Sequence, residues 1–263
     1  MITSDTYYKF LPIDRISYLD DQLLRFTQPA DLNDPFECYP RAIDESKLFD
    51  TIKQVITNSE KFKSNPPDSR TVKDIINESI KDFIPKTYDK INQEIGILSL
   101  SKTWKSSLMW SHYCLSHIGF CIGYEKAHNF FDDFLNENLN QSQHTKEVDY
   151  QNTRAEINVG YPVQKPDFEI LLTKSKEWDY EKEVRVIKTL NLRHALKKND
   201  QGGLDVNLFE VPHNSIKEII VGVKIQLEPK EKIIQFCKKN QIKLYQAIIS
   251  DTTFDMERNE IIL

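Results

Sequence analysis

Glycine is scarce in this chain, and its placement excludes two large classes of nucleotide-binding fold. The 263 residues include seven glycines, and none of them forms G-x-G-x-x-G or G-x-x-x-x-G-K-[ST]. Those patterns let the backbone approach phosphate groups closely in Rossmann folds and P-loop proteins. If this chain binds a nucleotide, it must therefore hold it on another kind of scaffold.

The overall composition is that of a globular domain. Hydrophobic residues make up 39% and charged residues 29% of the chain, which is typical of soluble proteins. The net charge of −5 argues against a strongly basic nucleic-acid binder. No apolar run approaches the roughly 18 residues of a membrane span, and Met1 to Phe10 lacks a signal-peptide core. We expect a cytoplasmic protein with no membrane partner.

Short strand patterns alternate with helical patterns along the chain. Runs rich in aromatic and β-branched residues predict strands at Tyr7–Leu11, Ile95–Ser101, Gly119–Tyr124, Tyr180–Ile187, Ile216–Val223 and Ile242–Ile249. A helix at Pro229–Asn240 joins the last two, which predicts a right-handed parallel crossover. The pattern favours an α+β fold in a single domain, residues 1–263.

Helical spacing dominates residues 44–95, which we interpret as a helical insertion. Pro85 is expected to end one of its helices, because proline removes a backbone donor and clashes with the preceding turn. Helices are also predicted at Phe130–Leu139 and Phe168–Trp178. The four cysteines form no C-x-x-C pair, so we expect no metal site. We interpret Cys114 and Cys121 as small buried hydrophobic residues.

One predicted strand carries a stripe of charge. Because side chains alternate between the faces of a strand, Glu181 and Glu183 point the same way, about 7 Å apart, with Arg185 next in line. The stripe is either a solvated charged face or the floor of a cleft, where carboxylates bind or polarise a substrate hydroxyl. Ser99 and Ser101 place two hydroxyl groups on one face of another predicted strand. That face is either solvated or directs both hydroxyls into a pocket.

Two further functions are compatible with the residue types. A metal-dependent nuclease or phosphoesterase would hold Mg²⁺ through carboxylate oxygens, and the candidates are Asp34, Glu37, Glu181 and Glu183. A non-enzymatic binding domain would line a groove with aromatic rings. The candidates for that groove are Tyr7, Tyr8, Trp104, Trp110 and Trp178.

Four sequence blocks resemble a known bacterial family. They are Asn33-Asp34-Pro35-Phe36-Glu37, Met109-Trp110-Ser111-His112-Tyr113, Gly119-Phe120-Cys121-Ile122-Gly123-Tyr124 and Trp178-Asp179-Tyr180-Glu181-Lys182-Glu183-Val184-Arg185. In this order they look like domain-of-unknown-function family 2971. The resemblance extends from about Tyr7 to Gly222. This resemblance implies a family but no established activity.

A more distant resemblance is to the ADP-ribosyltransferase fold. That fold has a first strand with a basic residue, a strand with Ser-Thr-Ser and a strand with Glu-x-Glu. The matching segments here are Tyr8-Lys9-Phe10, Ser99-Leu100-Ser101 and Glu181-Lys182-Glu183. The chain departs from the pattern at Lys9, where Arg or His is usual, and at Leu100, where Thr is usual. The resemblance implies a mixed, mostly antiparallel split sheet that binds NAD without a glycine motif.

The resemblance also assigns roles to individual residues. Glu183 would stabilise the oxocarbenium-like ribose that forms when the nicotinamide bond breaks, and Glu181 would act as general base toward the acceptor. Ser99 would place the ribose, and Lys9 would meet the NAD phosphates. Further NAD-binding candidates are Ser101, Asn33 and Tyr113. The acceptor would be a nucleic acid or a protein, and analogy with similar families suggests a toxin or phage-defence effector.

Overall fold

A computed structural model of the chain describes residues 5–42, 54, 68–157, 168–199 and 203–263. In chain order, the strands are β1 Thr6–Leu11, β2 Leu23–Arg25, β3 Arg41–Ala42, β4 Ile95–Ser101, β5 Phe120–Glu125, β6 Phe134–Asn136, β7 Gln141–Glu147, β8 Asp149–Gln151, β9 Glu156–Ile157, β10 Thr173–Ser175, β11 Glu183–Thr189, β12 Ala195–Lys197, β13 Val206–Glu210, β14 Ile216–Val221, β15 Lys243–Ile249 and β16 Met256–Ile261.

Helices are fewer than strands in the described residues. The α-helices are α1 Tyr18–Asp21, α2 Ser69–Glu94, α3 Ser107–Tyr113, α4 Phe168–Leu172 and α5 Leu227–Asn240. Short 3₁₀ helices occur at Ile13–Arg15, Pro29–Asp31, Asn129–Phe131, Glu137–Leu139, Lys176–Glu181, Leu190–Leu192 and His213–Ser215. None of the described helices combines the length and the apolar character that a membrane-crossing helix needs.

The chain folds into two compact units. The first, which we call the sheet unit, comprises Met1–Thr27, Ile95–Val148 and Glu177–Leu263. The second, the helical unit, comprises Gln28–Glu94 and Asp149–Lys176. It includes the second half of the predicted insertion, whereas residues 43–53 and 55–67 lie outside the described residues. The organisation of residues 1–263 as a single domain stays a prediction.

A nine-stranded sheet dominates the sheet unit. Its strand order is β16-β15-β14-β5-β1-β4-β11-β7-β6. Its neighbouring strands are antiparallel except for β14 and β15, which are parallel and joined by α5. The prediction of an α+β fold with a mixed, mostly antiparallel sheet is therefore confirmed, as is the parallel pairing in the C-terminal strand–helix–strand unit.

The pairing between β1 and β4 is far shorter than that of their other neighbours. Within these two fully described strands, Tyr8 and Ser101 form the single paired position. By contrast, β1 pairs with β5 along its whole length, and β4 pairs with β11 from Ile95 to Ser101. Farther along β4, the backbone of Ile97 exchanges two hydrogen bonds of 2.8 Å with Thr27. The sheet therefore opens between β1 and β4 after one pair.

Both faces of the sheet are packed. Tyr7 and Leu11 of β1 belong to the larger hydrophobic cluster, whereas Tyr8 and Phe10 belong to a smaller cluster on the opposite face. This is the alternation that a strand buried on both sides requires. In the smaller cluster, the Trp110 ring packs edge-on against Phe10 at 5.3 Å between centroids.

Two predicted helix boundaries are wrong. Pro85 does not end a helix, because α2 continues through it to Glu94. Ile84 and Ile91, seven residues apart on one helix face, are buried, and this burial offsets the backbone donor that proline lacks. The predicted helix at Phe168–Trp178 ends early at Leu172, and Thr173–Ser175 forms β10 beside β8 instead.

The predicted helix at Phe130–Leu139 is also wrong. The segment contains a 3₁₀ turn and the edge strand β6, which pairs with β7. Phe131 is buried against the Tyr7 ring, but Phe134 and Leu135 are exposed. The backbone of β6 hydrogen-bonds to the edge of β7, and these bonds outweigh the helical preference that the amphipathic pattern indicates.

The loop after α3 contains an unusual stretch of backbone. Leu115, Ser116 and His117 all have positive φ angles, of 47°, 54° and 72°. Each such residue costs about 1–2 kcal/mol relative to ordinary helical backbone. Gly119 follows at a position where a Cβ atom would overlap the carbonyl oxygen of Leu11. The loop is thus pressed against β1 by backbone-to-backbone contact.

We predict that Gly119→Ala lowers the free energy of unfolding by about 1–3 kcal/mol, the usual cost of forcing extra volume into a packed site. Urea unfolding followed by circular dichroism measures this. Gly203→Ala is the matched control, because the atoms nearest to its added Cβ belong to the movable side chain of Asn199. Equal stability of the two variants would show that the loop does not pack closely on β1.

Candidate functional site

The register of the central strands brings four of the sequence-selected polar side chains onto one face. Glu183 of β11 lies opposite Ser101 of β4, and Arg185 lies opposite Ser99. Directly paired residues in an antiparallel sheet share a face, with Cβ atoms about 4.5–5.5 Å apart. The two serine positions and the Glu183–Arg185 stripe are therefore one continuous polar patch within the sheet.

Three members of this patch are buried, and the fourth, Ser99, is half-buried. Glu183 is 3% exposed and Arg185 is 0% exposed. The Arg185 guanidinium donates from Nε to Glu183 Oε1 at 2.9 Å and from a terminal nitrogen to Oε2 at 3.3 Å. A two-point contact of this kind fixes the plane of the carboxylate as well as its charge. The alternative of an exposed charged face is therefore wrong for these two residues.

Glu181 does not share a strand with Glu183, which corrects the sequence prediction. It ends the 3₁₀ helix Lys176–Glu181, and β11 begins at Glu183. Lys182 between them has a φ of 47°, which breaks the alternation that a continuous strand would have. The turn is held by Ser101, whose hydroxyl donates to the Glu181 carbonyl oxygen at 2.5 Å.

A helix supplies a phenol to the same place. The Tyr113 hydroxyl donates to Glu181 Oε1 at 2.5 Å. Tyr113 ends α3, which Ser106 caps by accepting a hydrogen bond from the Met109 backbone. Trp110, three residues before Tyr113, is buried in the core and anchors the helix. The sequence singled out Tyr113 by resemblance, and the structure shows which group it contacts.

Lys9 spans the opening between β1 and β4. Its ammonium donates to the backbone carbonyl oxygen of Ser99 at 3.0 Å. Alternate residues of a strand direct their backbone N–H and C=O groups toward the same side. Ser99 therefore uses the same edge of β4 as Ile97 and Ser101, which pair with Thr27 and Tyr8. The lysine side chain thus takes the place of a missing pair of strand residues.

The electrostatic environment of Lys9 ties it to both glutamates. Burial lowers the pKa of Lys9 to about 8, while the charges of Glu183 and Glu181 act in the opposite direction. Lys9 and Arg185 bring two positive charges to the cluster, and Glu181 and Glu183 bring two negative ones. A balanced set of this kind reduces the cost of keeping charges away from water.

The structure therefore brings together most of the residues that the resemblance selected. Those that meet in the sheet unit are Lys9, Ser99, Ser101, Tyr113, Glu181 and Glu183; we call them, with Arg185, the split-strand cluster. Asn33 is exposed and belongs to the helical unit. Sequence reasoning recognised Arg185 as a neighbouring charge but missed that it is the bidentate partner of Glu183, although their spacing of two residues was a visible signal.

The residues behind the two alternative functions are placed differently. Most of the aromatic candidates for a binding groove are core residues, since Tyr7, Tyr8, Trp104 and Trp110 are buried. Among the described residues, no group of three or more His, Cys, Asp or Glu side chains is arranged to hold a metal ion. Cys114 and Cys121 are buried, as predicted, and so are Cys38 and Cys237.

We predict that Arg185→Met lowers the free energy of unfolding by about 3–5 kcal/mol, because it leaves a buried carboxylate without its counter-charge. Lys198→Met is the control, since Lys198 pairs with Asp205 on the surface, and such pairs contribute about 1 kcal/mol or less. Both are measured by urea unfolding. Similar losses in the two variants would contradict a buried Glu183–Arg185 pair.

We predict a specific pH dependence for Lys9. Its pKa is about 8 in the folded chain and 10.5 ordinarily, so the unfolded chain binds more protons between these values. The contribution of Lys9 to the free energy of unfolding therefore increases as the pH rises from about 8 to 10.5. The difference in unfolding free energy between the native protein and Lys9→Met should shift in favour of the native protein over this range. A constant difference would refute the lowered pKa.

Comparison with known proteins gives one match. Residues 109–186 match the family model described as "Protein of unknown function (DUF2971)". The matched segment includes Tyr113, Glu181, Glu183 and Arg185 of the split-strand cluster. No curated protein and no solved structure gave a match. Across residues 109–186, the chain is therefore similar to the DUF2971 family of proteins of unknown function.

Proposed function

We propose that the split-strand cluster is the active site of an ADP-ribosyltransferase-like enzyme that cleaves NAD and transfers ADP-ribose to a macromolecule. One observation carries the proposal. Three separate sequence blocks, which a resemblance to these enzymes selected, meet at the opening between β1 and β4. In this proposal NAD binds at this opening without a glycine-rich loop, in keeping with the absence of both glycine fingerprints.

Cleavage of NAD needs a group that stabilises positive charge. The bond between ribose C1′ and the nicotinamide nitrogen breaks, and its electron pair leaves with nicotinamide. The ribose then carries oxocarbenium-like positive charge, which a fixed carboxylate stabilises. Glu183 suits this role because the two bonds from Arg185 hold its carboxylate in one orientation. Preorganised charge of this kind needs no rearrangement during the reaction.

Transfer also needs a group that accepts the proton of the attacking nucleophile. The acceptor's lone pair forms the new bond to C1′, and its proton moves to Glu181 as general base. Two contacts position this residue. Tyr113 holds its carboxylate and Ser101 holds its backbone carbonyl.

Lys9 supplies the positive charge that an anionic dinucleotide requires. Its ammonium lies beside Ser99 and is half-buried, so its field is screened less than that of a surface lysine. In this proposal it binds the NAD pyrophosphate, the role that the resemblance gives to the first-strand basic residue. The acceptor is a nucleic acid or a protein.

We predict that purified protein releases nicotinamide from NAD, with or without added nucleic acid and protein acceptors, as measured by liquid chromatography. Glu183→Gln should lower the rate at least about 100-fold, the usual effect of removing one group that stabilises transition-state charge. Glu181→Gln should reduce transfer to the acceptor more than it reduces the cleavage of NAD by water. This difference separates the two roles.

Glu231→Gln is the matched control, because Glu231 is exposed on α5 and the substitution is the same. It should retain full activity, and circular dichroism should show all three variants folded. Absence of nicotinamide release and of NAD binding under every condition would reject the proposal. Release that the folded Glu183→Gln protein retains would place the reaction elsewhere in the chain.

A further inference from the structure

The helical unit contains a cavity that the proposed NAD chemistry does not use. Its volume is about 190 Å³. Its walls are the loop at residues 34–40, the turn at residues 151–155 and strand β10. These lining segments all belong to the helical unit.

One wall of the cavity comes from the Asn-Asp-Pro-Phe-Glu block that the sequence analysis singled out. Asp34 shapes this loop by accepting hydrogen bonds from the backbone of Phe36 at 2.9 Å and of Glu37 at 3.1 Å. Upstream, Asn92 of α2 accepts a hydrogen bond of 2.7 Å from the backbone of Ala30. The loop is therefore fixed by its own turn and by the long helix.

A buried ion pair joins this wall to the opposite one. Lys174 of β10 lies 2.8 Å from Glu37 Oε1, and both side chains are almost fully buried. The lining carries two acidic residues, Asp34 and Glu37, and two basic residues, Arg154 and Lys174, so its formal charges balance. Such a site favours a neutral ligand, since an ion would lose its hydration without a counter-charge in return.

Phe36 is the exposed member of the wall. It lines the cavity, yet its residue surface is 65% exposed. The neighbouring positions Asp34, Glu37 and Cys38 are buried. The loop thus buries polar groups while it presents a phenyl ring to solvent at the edge of a cavity, an arrangement suited to stacking against a flat ligand.

Four uncharged polar residues of the lining suit the edge of such a ligand. Gln151 and Asn152 carry amides, and Thr153 and Ser175 carry hydroxyls. These groups both donate and accept hydrogen bonds. A cavity of about 150 Å³ accommodates benzene in a well-studied engineered case, so the volume here suits a single ring system with polar atoms on its rim.

We propose that this cavity binds a neutral nitrogen heterocycle of nucleobase size, which stacks on Phe36 and directs its polar edge toward the amide and hydroxyl groups. This binding site is separate from the split-strand cluster, and the inference does not depend on NAD cleavage.

Adenine, cytosine and uracil are the probes, titrated against the full chain by calorimetry and by ligand-observed NMR. We expect at least one of them to bind, and Phe36→Ala to weaken its binding about 5- to 150-fold, which corresponds to the roughly 1–3 kcal/mol of a stacked base. Thr153→Phe should also weaken binding, because it places a bulky side chain at an exposed position of the cavity wall.

Phe254→Ala is the matched control, because Phe254 is 98% exposed and belongs to the sheet unit. This variant and Glu183→Gln should bind the bases as the native protein does. The proposal is overturned if none of the three bases binds at millimolar concentration, or if Phe36→Ala leaves their affinity unchanged. Binding of glucose but of no base would also overturn it, since the ligand would then be a sugar.

Discussion

The bond between the Lys9 ammonium and the Ser99 carbonyl is the contact on which the candidate site depends. Two central strands that stay paired over their whole length would leave no room for polar side chains between them. Here the strands pair once, at Tyr8 and Ser101, and then open. The carbonyl exposed by this opening still needs a partner, because an unpaired buried backbone group costs about 1–3 kcal/mol. The Lys9 ammonium donates the hydrogen bond that this carbonyl needs. It also brings a positive charge into the sheet, and that charge requires acidic neighbours.

The acidic neighbours explain how the cluster holds together. Glu183 accepts two hydrogen bonds from Arg185. Glu181 accepts one from the Tyr113 phenol and one from the Ser101 hydroxyl, which belong to different elements. Each member contacts at least one other member, so the members depend on one another more than their pairwise contacts suggest. Stability and the proposed chemistry therefore rest on the same few side chains, which makes folding controls essential for every active-site variant.

Local pattern was sufficient to predict the strands of the sheet centre, because aromatic and β-branched alternation is strong there. The local pattern failed to predict the backbone conformation where a tertiary contact determines it. The strand predicted from Tyr180 begins only at Glu183, since Lys182 turns to a positive φ and its carbonyl accepts a hydrogen bond from Lys102. Pro85 stays inside a helix because burial outweighs its local cost. The partner of Glu183 could be suspected from spacing, but its burial depends on packing that one sequence does not reveal.

The position of β1 in the sheet has a consequence for synthesis of the chain. Lys9 and Ser99 are 90 residues apart in sequence, and β5, the other neighbour of β1, is made later still. At the usual rate of about 5–20 residues per second, β1 waits on the order of 10 s for its first partner. During that interval its aromatic residues are exposed on a growing polypeptide. The strand at the centre of the finished sheet is thus accessible to chaperones until about 90 further residues have been made.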